Sequence, residues 1–293
     1  MITQVELARL AGISQKTVNR ALNDHVDVSA KTRQRVRELA EQHGYVPNQA
    51  ARAIRSGKYG NIAMLVPDNI FSTYLPFELL RHLKKYLEPH KLLLLLSCFS
   101  DTELADDALM SDILRKIMCD GFIINYISSF PPELETILHK FHLPYVWINT
   151  RRQKDCVYHD EFEAGAALTR HFLDLGHRRV ALVHGDPNFA ANQSKISGFV
   201  EGLKRLGIAV DDVLIRRVDD EQQNYTGGLI ATRELLTIES PPTAICYVND
   251  WLAMGGLAAA ASAGIDVPKE LSLIGFDDSF MSRQCHPQLT SVT

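Results

Sequence analysis

At 293 residues, 46% of them hydrophobic, and with a net charge of −4, the chain is long enough for more than one domain and has the composition of an ordinary globular protein. Its five cysteines, Cys98, Cys119, Cys156, Cys246 and Cys285, are scattered and odd in number, which argues against a disulfide framework and for reduced thiols in a cytoplasm. The longest apolar run, Leu92 to Leu96, is far too short to span a bilayer, and a helix expected within three residues of Met1 leaves no room for a signal peptide, so no membrane partner is expected.

The chain opens with TQVELARLAGISQKTVNRALN, Thr3 to Asn23. Thr3 with Glu6 three residues on is a capping-box pattern, so a first helix is predicted to start there and to carry Val5, Leu7, Ala8 and Leu10 inward. Gly12 ends it and Ile13 is expected as a buried turn residue. Ser14 then caps a second helix whose Val18, Ala21 and Leu22 face the first. The opposite face is polar: Gln15, Lys16, Thr17, Asn19 and Arg20. Two helices joined in this way fit a helix-turn-helix, whose second helix lays its N-terminal residues on base edges in the major groove. They also fit an αα-hairpin with a solvated face. A third helix, opened by Ser29, ended by Gly44 and stopped by Pro47, adds Val36, Leu39 and Ala40 to a small core and favours the first reading.

With these residues placed, the run from Val5 through Leu10-Ala11-Gly12-Ile13-Ser14, Thr17-Val18-Asn19-Arg20-Ala21-Leu22-Asn23, Val28-Ser29, Thr32-Arg33 and Gly44-Tyr45-Val46-Pro47-Asn48 resembles the DNA-binding headpiece of the lactose/galactose repressor family (LacI type). The resemblance implies an all-α helix-turn-helix headpiece over residues 1–47. Ser14, Gln15, Lys16, Thr17, Asn19, Arg20, Asn23 and Ser29 are then the expected DNA-side residues. It further implies a hinge helix and linker over 48–60, with Asn48 and Ala51 toward DNA. Ile54 stands where the family carries a leucine that wedges into the minor groove; it is also an apolar wedge, but stiffer at χ1. The hinge itself, Asn48 to Arg55, is too short to be a stable helix alone and is expected to order on binding. Residues 1–60 hold ten Lys/Arg against five Asp/Glu, the remainder 21 against 30. A basic end on an acidic body suits one that meets phosphate, though so small an imbalance also arises by chance.

From Asn61 onward strand and helix patterns alternate. Strands are predicted at Asn61–Val66, Leu92–Ser97 (a buried one), Gly121–Asn125, Tyr145–Asn149, Val180–His184, Leu214–Val218, Ala244–Val248 and Leu271–Phe276. Helical periods such as Phe77-Leu80-Leu83-Leu87 and Ala167-Leu168-Phe172-Leu175 lie between them. This order predicts an α/β body over 61–293, in two lobes with parallel sheets. Ligands of such sheets bind outside the carboxyl ends of the strands. The residues there are Asp68-Asn69, Asn125, Asn149, Gly185-Asp186, Asn249-Asp250 and Asp277-Asp278, with Tyr74, Phe189, Tyr225 and Trp251 nearby. As a set they suit paired sugar hydroxyls and ring faces; singly, each Asn or Asp also reads as a turn or helix cap.

Leu175-Gly176-His177-Arg178-Arg179-Val180, Asn249-Asp250 followed by Ala253 and Gly255, and Ile274-Gly275-Phe276-Asp277-Asp278 resemble the effector-binding core of the same family, which is similar to periplasmic sugar-binding proteins. The effector contacts this implies are Ser72, Tyr74, Asn125, Asn149, Lys195, Asn249 and Asp277. Asn149 occupies a position often held by Asp. Lys195 stands where an arginine usually clamps the ligand, and it lacks the planar fork. The family normally runs on past Val292 with a helix and a last strand, so a chain ending at Thr293 is expected to be a fragment, the alternative being a lobe that lacks a covering element and exposes apolar surface.

No GxxxxGK[ST], GxGxxG, GxSxG or HExxH occurs, so catalytic residues and cofactors are not expected. His139 and His142 lack a third ligand for a metal. The expectation is a cytoplasmic homodimeric transcriptional repressor that binds a double-stranded operator and a small sugar-like effector. Two alternatives stay open: a DNA-binding regulator without effector response, and a sugar-binding or sugar-processing protein with an unrelated helical N-terminus.

Overall fold

The computed structural model describes residues 2–46, 53, 57–68, 75–127, 132–140, 142–187, 189–210, 214–219 and 224–292. The chain divides into two compact units, residues 1–59 and 60–293.

The first unit is helical: α1 (Gln4–Ala11), α2 (Gln15–Leu22) and α3 (Ala30–Gln42). Thr3 and Glu6 form the capping box, the Glu6 carboxylate accepting the Thr3 N–H at 2.8 Å and Thr3 Oγ1 the Glu6 N–H at 3.3 Å. Gly12 ends α1 at φ 66°, a left-handed conformation that costs glycine little. Leu7, Ala8 and Ala11 meet Val18, Ala21, Val28, Val36 and Ala40 in a closed core. Val5, 61% exposed, and Leu10 do not point inward as the sequence suggested, because the buried stripe of α1 runs through Leu7 and Ala11 and leaves both on its flanks. Ile13 is half-buried rather than buried.

The second unit carries two five-stranded sheets whose ladders are all parallel. In lobe one the strands are β1 (Asn61–Pro67), β2 (Leu93–Phe99), β3 (Gly121–Asn125), β4 (Tyr145–Ile148) and β5 (Cys156–Val157), in spatial order β2-β1-β3-β4-β5. Helices α4 (Phe77–Leu87), α5 (Asp101–Ala105), α6 (Asp107–Lys116) and α7 (Pro132–Lys140) connect them. In lobe two β6 (Val180–His184), β7 (Ile215–Arg217), β8 (Ala244–Tyr247), β9 (Ser272–Phe276) and β10 (Thr290–Val292) lie in the order β10-β9-β8-β6-β7. Their helices are α8 (Glu161–Asp174), α9 (Ala190–Arg205), α10 (Tyr225–Thr237) and α11 (Asp250–Ser262). Strands β5 and β10, two and three residues long, are too short to leave a periodic signature in the sequence.

Two expectations about burial change. β2 is an edge strand with Leu93 and Leu96 exposed, not the buried strand its leucine run suggests. Beside it in sequence, α4 buries none of its residues: Phe77 is 74% and Tyr86 71% exposed, while Leu80 and Leu83 only flank the cluster of Met64, Val66 and Ile123. In α8, Leu168, Phe172 and Leu173 face the core while Ala167 and Leu175 do not. No helix among the described residues is long and apolar enough to cross a membrane.

Helices α8 and α9 touch backbone to backbone. A Cβ on Gly198 would lie 2.0 Å from the Phe162 carbonyl oxygen, and one on Gly165 2.5 Å from that of Lys195. Both distances are far inside van der Waals contact, so the helices approach this closely only because both positions are glycine. Gly198→Ala is expected to destabilise the protein by about 3 kcal/mol, at the upper end of overpacking costs. Urea denaturation reads this as a lower midpoint at unchanged slope, and an unchanged midpoint would contradict the contact.

Candidate functional site

Two surfaces carry the predicted residues, one on each unit. On the helical unit, Ser14 Oγ accepts the Thr17 N–H at 3.1 Å and shares a hydrogen bond with Thr17 Oγ1 at 2.8 Å, fixing the first turn of α2. Gln15 and Lys16 project from that turn exposed, opposite the buried Val18 and Ala21. The remaining predicted residues are tied locally. Asn19 Nδ2 reaches Gln4 Oε1 at 3.5 Å, Asn23 Nδ2 donates to the Asn19 carbonyl at 2.8 Å, and Arg20 sits 3.4 Å from the Asp27 carboxylate. Ser29 caps α3, accepting from the Thr32 N–H at 3.2 Å. Asn48, Ala51 and Ile54 lie outside the described residues, as do Ser72 and Tyr74.

On the α/β unit the predicted residues gather at the carboxyl edges of the two sheets. In lobe one, Asn125 at the end of β3 is fully buried, and its Oδ1 accepts Asn149 Nδ2 at 2.7 Å across to β4. Asn149 holds φ 63°. In lobe two, Lys195, 8% exposed, donates to the Val248 carbonyl at 3.0 Å. Its ammonium also lies 3.4 Å from the Glu161 carboxylate and 4.4 Å from the centre of the Phe276 ring. Asn249 Oδ1 accepts the Leu252 N–H at 2.8 Å and so caps α11. Tyr225 and Trp251 are exposed.

Asp250, which the sequence placed with the polar strand-end set, is 1% exposed and spent on structure. One oxygen accepts the Ser279 N–H at 2.7 Å and the other the Ser291 hydroxyl at 2.6 Å. The Asp278 N–H in turn donates to Ser291 Oγ at 2.9 Å. These bonds hold Asp277 and Asp278 at φ 97° and 41°, a left-handed pair that non-glycine residues keep only under external restraint. Two further pairings escaped the sequence: Glu161 with Lys195, and Arg217 with Asp186 at 3.6 Å. Each joins separate elements, and only the glycines of α8 and α9 hinted at the first.

Burial holds the Asp277 carboxyl up at about 6, with Asp250 and Glu161 pushing the same way and Lys195 and His159 opposing. Among the described residues no group of three or more His, Cys, Asp or Glu is arranged to hold a metal.

A helix-turn-helix unit joined to a two-lobed parallel α/β body, with polar residues at the carboxyl edges of both sheets, defines a DNA-binding transcriptional regulator. Residues 4–48 match the family model of bacterial regulatory proteins, lacI family, and 169–293 that of a periplasmic binding protein-like domain. The chain is 31% identical to catabolite control protein A of Priestia megaterium, over 99% of this chain and 87% of the relative. It is 29% identical to the HTH-type transcriptional repressor CytR of Escherichia coli (strain K12), over 99% and 84%. Among solved structures it superposes on the Lac repressor bound to ONPG with a TM-score of 0.84, at 23% identity over 99% of this chain and 87% of that one. A complex of the regulator CelR with cellobiose gives 0.66 at 25% identity, again over 99% and 87%. The chain belongs to the lacI family of bacterial regulatory proteins.

The raised Asp277 carboxyl has a definite consequence for stability. An unfolded aspartate titrates near 3.8, so between about pH 4 and pH 6 the folded chain binds more protons than the unfolded one, and stability falls as pH rises through that window. An asparagine cannot ionise. Relative to Asp277→Asn, the wild type is expected to lose about 2–3 kcal/mol between about pH 4 and pH 7. Urea denaturation of both proteins at the two pH values measures the difference, and a pH-independent difference would contradict it.

Proposed function

We propose that the protein is a cytoplasmic repressor whose homodimer sets two headpieces on the half-sites of an operator and responds to a sugar or sugar derivative held between the lobes of its body. The headpiece covers residues 1–47, the hinge and linker 48–60 and the effector-binding body 61–293. The observation that carries the reading is the exposed first turn of α2, where Gln15 and Lys16 stand on the side away from the core. That turn is the part of a recognition helix that meets base edges. Gln15 and Lys16 read bases, joined by Arg20. Ser14, Thr17, Asn19, Asn23 and Ser29 approach the phosphates, and Asn48, Ala51 and Ile54 belong to the hinge on the minor groove. A solved Lac repressor structure is a dimer bound to operator, and a second copy of this chain accounts for the uncovered apolar side chains of α4 and β2.

For the body, Asn125, Asn149, Lys195, Asn249 and Asp277, with Ser72 and Tyr74, form the effector site. Relatives named for a ribose operon and for a cellobiose complex support a carbohydrate ligand. Such a ligand acts on DNA binding only as far as it favours one lobe arrangement over the other.

Two measurements test this reading. With an operator selected from a random duplex pool, Gln15→Ala is expected to cost about 1–3 kcal/mol in binding and to relax the base preference, while wild-type affinity falls steeply with salt. Undiminished binding by a chain lacking residues 1–60 would overturn it. In sedimentation, Phe77→Asp combined with Tyr86→Asp is expected to turn the dimer into a monomer, because two carboxylates cannot be buried unpaired in an interface. A persistent dimer would place the interface elsewhere.

A further inference from the structure

Lys195 is the one Lys or Arg that is buried among the described residues. It sits in the second turn of α9, and Glu161 is the first residue of α8. Helices that cross between parallel strands start at the carboxyl edge of the sheet, so this ammonium lies where ligands enter. Alone there it would attract an anion: the ammonium is a compact point charge, and helix N-termini nearby add positive potential.

Glu161 changes that. Its carboxylate, with a side chain 20% exposed, stands 3.4 Å from the ammonium. The pair cannot easily part, because Gly165 and Gly198 lock α8 against α9 at backbone contact. Asp277 adds a second carboxylate close enough for Lys195 to act on its titration. Arg217, the last residue of β7, and Arg283, which follows β9, are likewise matched with Asp186 and Asp278. A phosphate entering beside Lys195 would meet a fixed carboxylate of its own sign, or displace it and leave a buried charge without its partner; both outcomes are costly. A hydroxyl meets no such conflict, since it accepts from the ammonium and donates to the carboxylate at once.

We propose that Glu161 sets the effector class: by occupying Lys195 it admits polyhydroxyl ligands and excludes those bearing a phosphate or carboxylate. The inference rests on the reading of this edge as the effector site, and it makes Glu161 a specificity-determining residue of that site.

Titration calorimetry of the full chain with inorganic phosphate and with glucose 6-phosphate tests it. The wild type is expected to bind neither at millimolar concentration. Glu161→Gln is expected to gain affinity for both by at least about tenfold, the effect of one charge-assisted hydrogen bond, and Lys195→Met on that background to remove the gain. In case Asp277 takes over the freed ammonium, Glu161→Gln with Asp277→Asn leaves it uncompensated and is expected to gain more. Phosphate binding by the wild type that Lys195→Met abolishes would overturn the proposal. So would the absence of any gain in both the single and the double variant when they unfold at the wild-type temperature. Failure of the underlying site reading looks different: a neutral sugar would bind the wild type with an affinity that neither Asp277→Asn nor Lys195→Met alters.

Discussion

Parallel pairing of every strand is the constraint from which the body follows. A parallel strand cannot be reached by a tight turn, so each pair of neighbours requires a crossover, and most of these crossovers are helices; the short edge strands β5 and β10 are reached by the loops 149–155 and 277–289 instead. Helices cover the middle of each sheet on both faces, which is why β3 and β6 are buried along their whole length while the edge strand β2 keeps Leu93 and Leu96 exposed. With the central strands closed in, polar chemistry falls to the sheet ends. Asn125, Asn149, Asp186, Asn249 and Asp277 all follow or end strands, and they can be polar because the loops there leave the core.

The same geometry sets what those loops must withstand. Asp250 sits at the start of α11 with its carboxylate out of water, a position tolerable only with good partners. It finds a backbone N–H at Ser279 and a hydroxyl at Ser291. Because Ser279 directly follows the 277–278 turn and Ser291 lies on β10, one buried carboxylate ties the last strand, the turn and the helix together. Gly275 leaves room for it: a Cβ there would lie 2.3 Å from Asp250 Oδ1. Asp277 is thus presented by a restrained turn rather than by a loop free to choose its own conformation, which favours a defined geometry over adaptability.

Much of this was legible in the sequence, and what was missed has a common cause. Caps and turns are local, so Thr3 with Glu6, Ser14, Ser29 and Gly12 announced the headpiece helices within a residue of where they lie. Long strands announced themselves by apolar runs. The exposed Leu93 and Leu96 were misjudged because an apolar run does not say whether its strand is central or at an edge; that depends on what pairs and packs beside it. Val5 and Leu10 were misjudged because apolar character alone does not fix the phase of a helix. The Glu161–Lys195 pair joins residues on separate helices and depends on a backbone approach that only Gly165 and Gly198 permit. Spacing along one element could not reveal it.

The two lobes contribute unlike chemistry to the proposed site, and this bears on how a ligand would shift the protein between states. Lobe one offers the neutral pair of Asn125 and Asn149, whose amides are already bonded to each other; lobe two offers Lys195, Glu161 and Asp277. A ligand held by lobe two alone binds every lobe arrangement equally and shifts nothing, however tightly it is held. Only contacts that reach across to lobe one discriminate between arrangements, and each factor of ten in that preference corresponds to about 1.4 kcal/mol. On this argument affinity resides chiefly in the charged cluster and response chiefly in the contacts to lobe one, so two sugars of equal affinity can differ fully in their effect on DNA.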